Sequence, residues 1–94
     1  MHQDIKAFLN QPLDDVKGHP LRALWHAVRG DWNAAHEEAQ QGEDRDSAWV
    51  HALLHREEGD QWNAEYWYRR AGKPVFKGAV GQERNEMILS LLTS

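Results

Sequence analysis

Two segments of this 94-residue chain carry nearly the same string of residues, and this repetition constrains the fold more than any other feature. The string LWHAVRGDWNAAHEEA begins at Leu24, and LLHREEGDQWNAEYWYRRA begins 29 residues later at Leu53. A unit of this length cannot bury its apolar face alone, so neighbouring copies must pack on one another. The repeat predicts an all-α fold of two tandem antiparallel helical hairpins in a single domain, residues 1–94.

A Gly-Asp pair divides each copy into two helices, at positions 30–31 and 59–60. Glycine takes the left-handed conformation that ends a helix, and aspartate accepts hydrogen bonds from the N–H groups that open the next one. We therefore predict repeat copies at about 20–42 and 44–72. A stack of repeats needs covered ends, so we predict a short N-terminal capping helix and a longer C-terminal one at about 80–93.

Composition and charge exclude several classes of protein. The chain has no cysteine, and its KGAVGQ segment lacks the features of a phosphate-binding loop, so we predict no cofactor. Residues 31–60 carry a net charge of −7 and residues 61–84 a net charge of +3, which argues against a nucleic-acid partner. No window approaches the ~18 apolar residues of a membrane helix, and the N-terminus has no export signal. These features predict a cytoplasmic protein without a membrane partner.

One part of the second copy resembles a known repeat family. Ala64, Tyr68 and Ala71, followed by Pro74, are spaced as in the second helix of tetratricopeptide repeats, and the string AEYWYRRAG is similar to the Sel-like variety. The whole pattern also looks like that of a group of small uncharacterised bacterial proteins. The resemblance covers roughly residues 20–74. It implies a stack of helix pairs with a concave face that binds a peptide or a helix.

The resemblance also implies which side chains a partner would meet. On the concave side of the second copy it places Asp46, Trp49, Leu53 and Arg56, and we predict that Trp49 and Arg56 anchor a peptide or helix there. Trp25 or Tyr66 is predicted to lie beside them. The predicted function is thus a non-catalytic protein-interaction module. Two copies are few for a free-standing stack, so homodimerisation through the same surface is a variant of this prediction.

The neighbourhood of Tyr66 leaves two alternatives open. Trp67 and Tyr68 share a helix face with Ala64 and are predicted to be core. Trp62 and Tyr66 lie on another side, where they either pack against the C-terminal helix or form an exposed binding or dimer patch with neighbouring arginines.

Histidine supports a different function. His51 and His55 are one helical turn apart, a spacing at which two imidazoles can chelate zinc, and His26 occupies the place equivalent to His55 in the first copy. A stable site needs a third donor that the sequence does not fix, so we predict packing roles for these rings and no metal. The alternative is a metal-binding or small-molecule-processing protein that uses His26, His51 and His55.

Overall fold

The computed structural model describes residues 5–93, and within this range the chain is all-helical, with no strand. It contains six α-helices and one 3₁₀ turn at Leu13–Asp15. The helices are α1 (Ile5–Asn10), α2 (His19–Val28), α3 (Trp32–Gln41), α4 (Arg45–Glu57), α5 (Gln61–Ala71) and α6 (Val80–Leu92). The helical content predicted from the sequence is confirmed, whereas the likeness to tetratricopeptide repeats stays a prediction.

The turns between helices are built as the Gly-Asp pairs predict. Gly30 and Gly59 have φ angles of 78° and 84°, the left-handed region that glycine occupies without strain. The Asp31 carboxylate accepts from the backbone N–H of Ala34, and Asp60 caps α5 in the same way. Each such cap stabilises its helix by about 1 kcal/mol. The two chain reversals α2–α3 and α4–α5 therefore have the same local cause.

Gly42, which follows α3, is needed for a different reason. Its φ of −84° is open to any residue. A side chain at this position would collide with the hydroxyl of Ser47, because the backbone passes directly over the first turn of α4. Gly42 therefore permits the close approach of α3 and α4.

Helix α4 is the central element of the domain. It packs against α5, α3, α2 and α6, and eight of its thirteen residues are buried. The main core lies between α4 and helices α1, α2, α3 and α6, and a smaller cluster of Ala52, Ala64 and Tyr68 lies between α4 and α5. Side chains of α4 consequently reach both hairpin partners and the C-terminal helix.

No helix in the described part of the chain combines the length and the apolar character needed to cross a membrane.

Candidate functional site

Two of the residues predicted to line a concave groove on α4 bind the C-terminal helix α6, and a third is buried in the core. Leu53 is fully buried in the main core, so no partner reaches it in the folded domain. Trp49 and Arg56 are half-buried and donate hydrogen bonds to the carboxylate of Glu83 on α6, over 3.3 and 2.7 Å. Asp46 is half-buried in the first turn of α4. The chain's own C-terminal helix therefore occupies the place expected for a partner.

Glu83 is the centre of a buried polar group that we call the carboxylate network: Trp49, Arg56, Tyr68 and Glu83. The Glu83 side chain is 1% exposed, and both of its oxygens lie 2.6 Å from the hydroxyl of Tyr68. Arg56 also donates to the carbonyl of Gly78 over 2.6 Å, which ties the segment before α6 to α4. The network therefore joins α4, α5 and α6 through hydrogen bonds to one buried carboxylate.

Electrostatics in this network follow from burial and pairing. Burial raises the pKa of Tyr68, and the adjacent Glu83 carboxylate raises it further, so the hydroxyl stays protonated and donates. Burial by itself lowers the pKa of Arg56, but hydrogen bonding to Glu83 and Tyr68 outweighs it, and the pKa is raised. Arg56 and Glu83 thus form an ion pair that serves the fold.

Trp25, the remaining groove candidate of the first copy, serves the N-terminal cap. Its indole N–H donates to the carbonyl of Gln11 over 2.8 Å, and the guanidinium of Arg29 lies 3.5 Å from the centre of its ring. Arg29 also donates to the carbonyl of Leu9 over 2.6 Å. Trp25 and Arg29 together hold α1 and its following loop against α2.

Three histidines meet between α3 and α4, and we call them the histidine cluster: His36, His51 and His55. One ring nitrogen of each lies within 4.8 Å of the others. The Nε2 atoms of His36 and His51 are 2.9 Å apart. His51 and His55 belong to the predicted alternative site, but His26 lies outside the cluster, in edge-to-face contact with Trp25. His36 takes the place that the sequence interpretation gave to His26.

The histidine cluster is buried and enclosed by aromatic rings. His51 is 4% exposed and His55 9%, while His36 is half-buried. Trp67 stacks on His51 with ring centres 3.8 Å apart, and Trp32 stacks on His36 at 4.8 Å. Burial, reinforced by the neighbouring imidazoles, lowers the pKa of His51 to about 4. Burial likewise lowers the pKa of His36, so these two rings are neutral at pH 7.

A second candidate surface lies on the outer side of α5, and we call it the α5 face: Trp62, Tyr66, Arg69 and Arg70. Trp62 is 73% exposed and Tyr66 37%, which is the exposed-patch alternative of the sequence analysis. The Arg70 guanidinium donates to the Tyr66 hydroxyl over 3.2 Å. It also lies 5.3 Å from the ring centre of Trp67 and 5.9 Å from that of Tyr66. The Arg70 side chain is thus held beside the rings of Tyr66 and Trp67.

The exposure of Trp62 follows from one extra residue in the second copy. Trp32 is the first residue of α3 after its capping Asp31, whereas Gln61 intervenes between Asp60 and Trp62. One extra residue rotates the following side chains by about 100° around the helix axis, so side chains at matching positions of the two repeat strings point in different directions. Trp32 is half-buried and donates to the carbonyl of Leu54 over 2.7 Å, but Trp62 lies in solvent.

A pocket of about 430 Å³ adjoins the α5 face. Its walls combine charged groups of both signs with one aromatic ring and come from the end of α3, the start of α4 and the end of α5. The lining residues are Gln40, Gly42, Glu43, Asp44, Arg45, Ala48, Trp67 and Arg70. The pocket is thus a concave, charged site directly beside exposed aromatic groups.

No family model, curated protein or solved structure matches this chain.

Proposed function

We propose that this domain is a non-catalytic protein-interaction module that associates with a second copy of itself through the α5 face. The observation that carries the proposal is the 73% exposure of Trp62. The other four tryptophans are all half-buried, and Trp25, Trp32 and Trp49 donate hydrogen bonds within the chain. A large exposed indole beside Arg70 and Tyr66 is the composition typical of interface hot spots.

The order of side chains along α5 favours a second copy as the partner. Trp62 precedes Arg70 by eight residues, about 12 Å along the helix, and Tyr66 lies midway. In an antiparallel pair of α5 helices, a two-fold axis near Tyr66 brings Trp62 of each copy to Arg70 of the other. Indole and guanidinium then form two equivalent cation–π contacts, as an isologous interface requires.

Charge along α5 supports the same antiparallel arrangement. Glu65 lies on the N-terminal half of the helix and Arg69 on the C-terminal half. Around an axis near Tyr66 and Trp67, Glu65 of one copy faces Arg69 of the other, so unlike charges meet on both sides. A parallel pair would set like charges against each other.

The pocket beside Arg70 gives the partner's indole a place to enter. Its volume of about 430 Å³ exceeds that of one tryptophan side chain, and Trp67 contributes an aromatic group to its wall. The carboxylates of Glu43 and Asp44 line the same pocket and offer acceptors for the indole N–H. Because α5 is only about 16 Å long, each copy buries less than the ~800 Å² per partner of a standard interface. We therefore expect a reversible dimer.

Sedimentation velocity across about 1–500 µM protein tests the proposal, because weak dimers of this size reveal themselves only through concentration dependence. We expect a monomer–dimer equilibrium that Trp62→Ala and Arg70→Ala each abolish, with thermal stability unchanged for Trp62→Ala. Leu89→Ala, at a 45% exposed leucine on α6, is the matched control and should leave the equilibrium as it is. A parent chain that stays monomeric over the whole range would overturn the proposal.

The antiparallel geometry has its own test. Glu65→Arg alone and Arg69→Glu alone should each weaken the dimer, since like charges then face each other across the axis. The double variant Glu65→Arg with Arg69→Glu restores both pairs and should restore association. If all three variants dimerise as strongly as the parent chain, the contact lies elsewhere on the domain.

A further inference from the structure

The histidine cluster has the donor set of a transition-metal site, and this function is independent of the α5 face. His36 comes from α3, and His51 and His55 come from successive turns of α4. Their nitrogens lie within 4.8 Å of one another. Imidazole is a ligand for borderline divalent ions such as Zn²⁺, which binds histidine nitrogen at about 2.0–2.1 Å.

The separation of two of the nitrogens suits one shared ion, and the third, within 4.8 Å of both, joins them after moving inward by at most about 1.5 Å. Two ligands at about 2.05 Å from a tetrahedral centre are themselves roughly 3.3 Å apart. The Nε2 atoms of His36 and His51 are 2.9 Å apart, so they need to separate by only a few tenths of an ångström. Two nitrogens that face each other at 2.9 Å must share either a proton or an ion.

The third ring is oriented as metal-bound histidines usually are. The Nδ1 atom of His55 is hydrogen-bonded to the carboxylate of Glu58 over 2.6 Å. A carboxylate that accepts from one ring nitrogen fixes the tautomer, leaves the lone pair on the other nitrogen and makes that nitrogen a better ligand. Glu58 is 37% exposed at its side chain and lies one turn after His55 on the same chain segment, so it holds this orientation without entering the core.

Tryptophan rings keep the three imidazoles in place. Trp67 covers the face of His51, and Trp32 covers the face of His36, with interplanar angles of 9° and 12°. His51 and His55 also stack on each other, 5.1 Å apart. Rings held in this way lose little side-chain freedom on binding an ion, and the half-buried His36 leaves a route from solvent.

We propose that His36, His51 and His55 bind one borderline divalent transition-metal ion, with Zn²⁺ the expected species and a water molecule as the fourth ligand. The ion links α3 to α4 and therefore joins the two copies of the repeated unit. The buried rings offer neutral ligands only, so the site selects against Ca²⁺ and Mg²⁺, which require oxygen donors.

Cobalt titration of chelator-treated, untagged full-length protein tests this proposal, because Co²⁺ in a four-coordinate site gives intense visible absorption bands. We expect one Co²⁺ per chain, displaced by one Zn²⁺, and a higher melting temperature with Zn²⁺ than with chelator. His36→Gln removes a ligand from a half-buried position and should weaken Co²⁺ binding by about 100-fold or more, since even second-shell losses cost 10–100-fold.

Two further variants distinguish metal binding by the histidine cluster from nonspecific binding by any histidine. Because His26 lies outside the cluster, His26→Gln should leave the Co²⁺ affinity and spectrum unchanged. Glu58→Gln retains all three ligands and should weaken binding by roughly 10–100-fold. Circular dichroism of each variant confirms that the helices are intact before metal is added.

Three results would overturn the proposal. The first is a parent protein that binds no stoichiometric Co²⁺ or Zn²⁺ at micromolar concentrations, which would leave a proton shared between His36 and His51. The second is an unchanged affinity in His36→Gln, and the third is an equal loss in His26→Gln. Retention of the metal by Trp62→Ala would show that the site does not depend on dimerisation.

Discussion

Replacing the buried carboxylate of Glu83 by an amide is the sharpest test of how this small domain is held together. Glu83→Gln preserves the shape of the side chain and removes its charge. The guanidinium of Arg56, 13% exposed, then loses its counter-ion and keeps only the carbonyl of Gly78 as a strong partner. Breaking a buried ion pair by removing one member costs about 3–5 kcal/mol, because the other charge remains buried and unpaired.

The Tyr68 hydroxyl also loses its carboxylate acceptor in Glu83→Gln, and this loss moves the expected cost toward the upper part of that range. It is fully buried and donates to Glu83, and an amide oxygen is a weaker acceptor than a carboxylate. A domain of this size is stable by about 5–15 kcal/mol, so Glu83→Gln removes a large share of the total. We expect its free energy of unfolding to fall by about 3–5 kcal/mol.

Urea denaturation followed by circular dichroism measures the change. Glu86→Gln is the matched control, because Glu86 is exposed on the same helix, and it should alter the free energy of unfolding by less than about 0.5 kcal/mol. The triple variant Arg56→Met, Tyr68→Phe, Glu83→Met removes every charge and hydroxyl together and should lie far closer to the parent than Glu83→Gln does. A loss below about 1 kcal/mol in Glu83→Gln would refute the reasoning, since it would mean that Arg56 finds water instead.

The remaining predictions concern pH and backbone conformation. The pKa of His51 is lowered to about 4 in the folded protein against 6.5 as its ordinary value, so the unfolded chain binds the proton first. Stability of the chelator-treated protein should therefore fall as pH drops from about 6.5 to 4, by up to about 3 kcal/mol, and His51→Leu should flatten that dependence. Gly59→Ala should cost about 1 kcal/mol because its φ is 84°, although open space surrounds the new methyl group. Gly81→Ala, within α6 and equally uncrowded, should instead stabilise by about 0.5 kcal/mol, and thermal denaturation compares the two.

Helix positions were predictable from the sequence because helix-ending glycines, capping aspartates and the spacing of apolar residues all act locally. Helices α3 and α5 begin directly after Asp31 and Asp60, as the Gly-Asp pairs predict. The other ends differ by a residue or so, which is the normal uncertainty of a fraying helix end. Local interactions thus decide which residues form each helix, whichever neighbouring helix it packs against.

The members of the histidine cluster were only partly predictable. The spacing of His51 and His55 identified one helix face, but which third ring joins them depends on how α3 crosses α4. In the sequence, Trp32, Ala35, His36 and Ala39 fall on one face of their helix, and that was the available signal. His26 has the same place in the repeat as His55, yet its ring contacts the neighbouring Trp25 and lies outside the histidine cluster.

The burial of Glu83 could have been predicted from its position in the sequence, although a carboxylate is normally assigned to the exposed face of an amphipathic helix. It follows Val80 by three residues and precedes Met87 by four, so it lies on the apolar stripe of α6. A carboxylate in such a stripe must find a buried cation or several donors, because an unpaired buried charge is too costly. Arg56, predicted to be exposed as an anchor, is the cation that it finds.

The same pairing bears on the interaction surface that the family resemblance implies. In a longer stack, the face of α4 that carries Trp49 and Arg56 would remain concave and open, or meet another repeat. Here the chain has two copies, and α6 closes that face by inserting Glu83 between these side chains. A surface that is needed to complete the core is not available for a partner. Exposed aromatic area is left instead on α5, where the extra Gln61 turns Trp62 outward, so the surface that we propose for binding comes from the departure from the repeat.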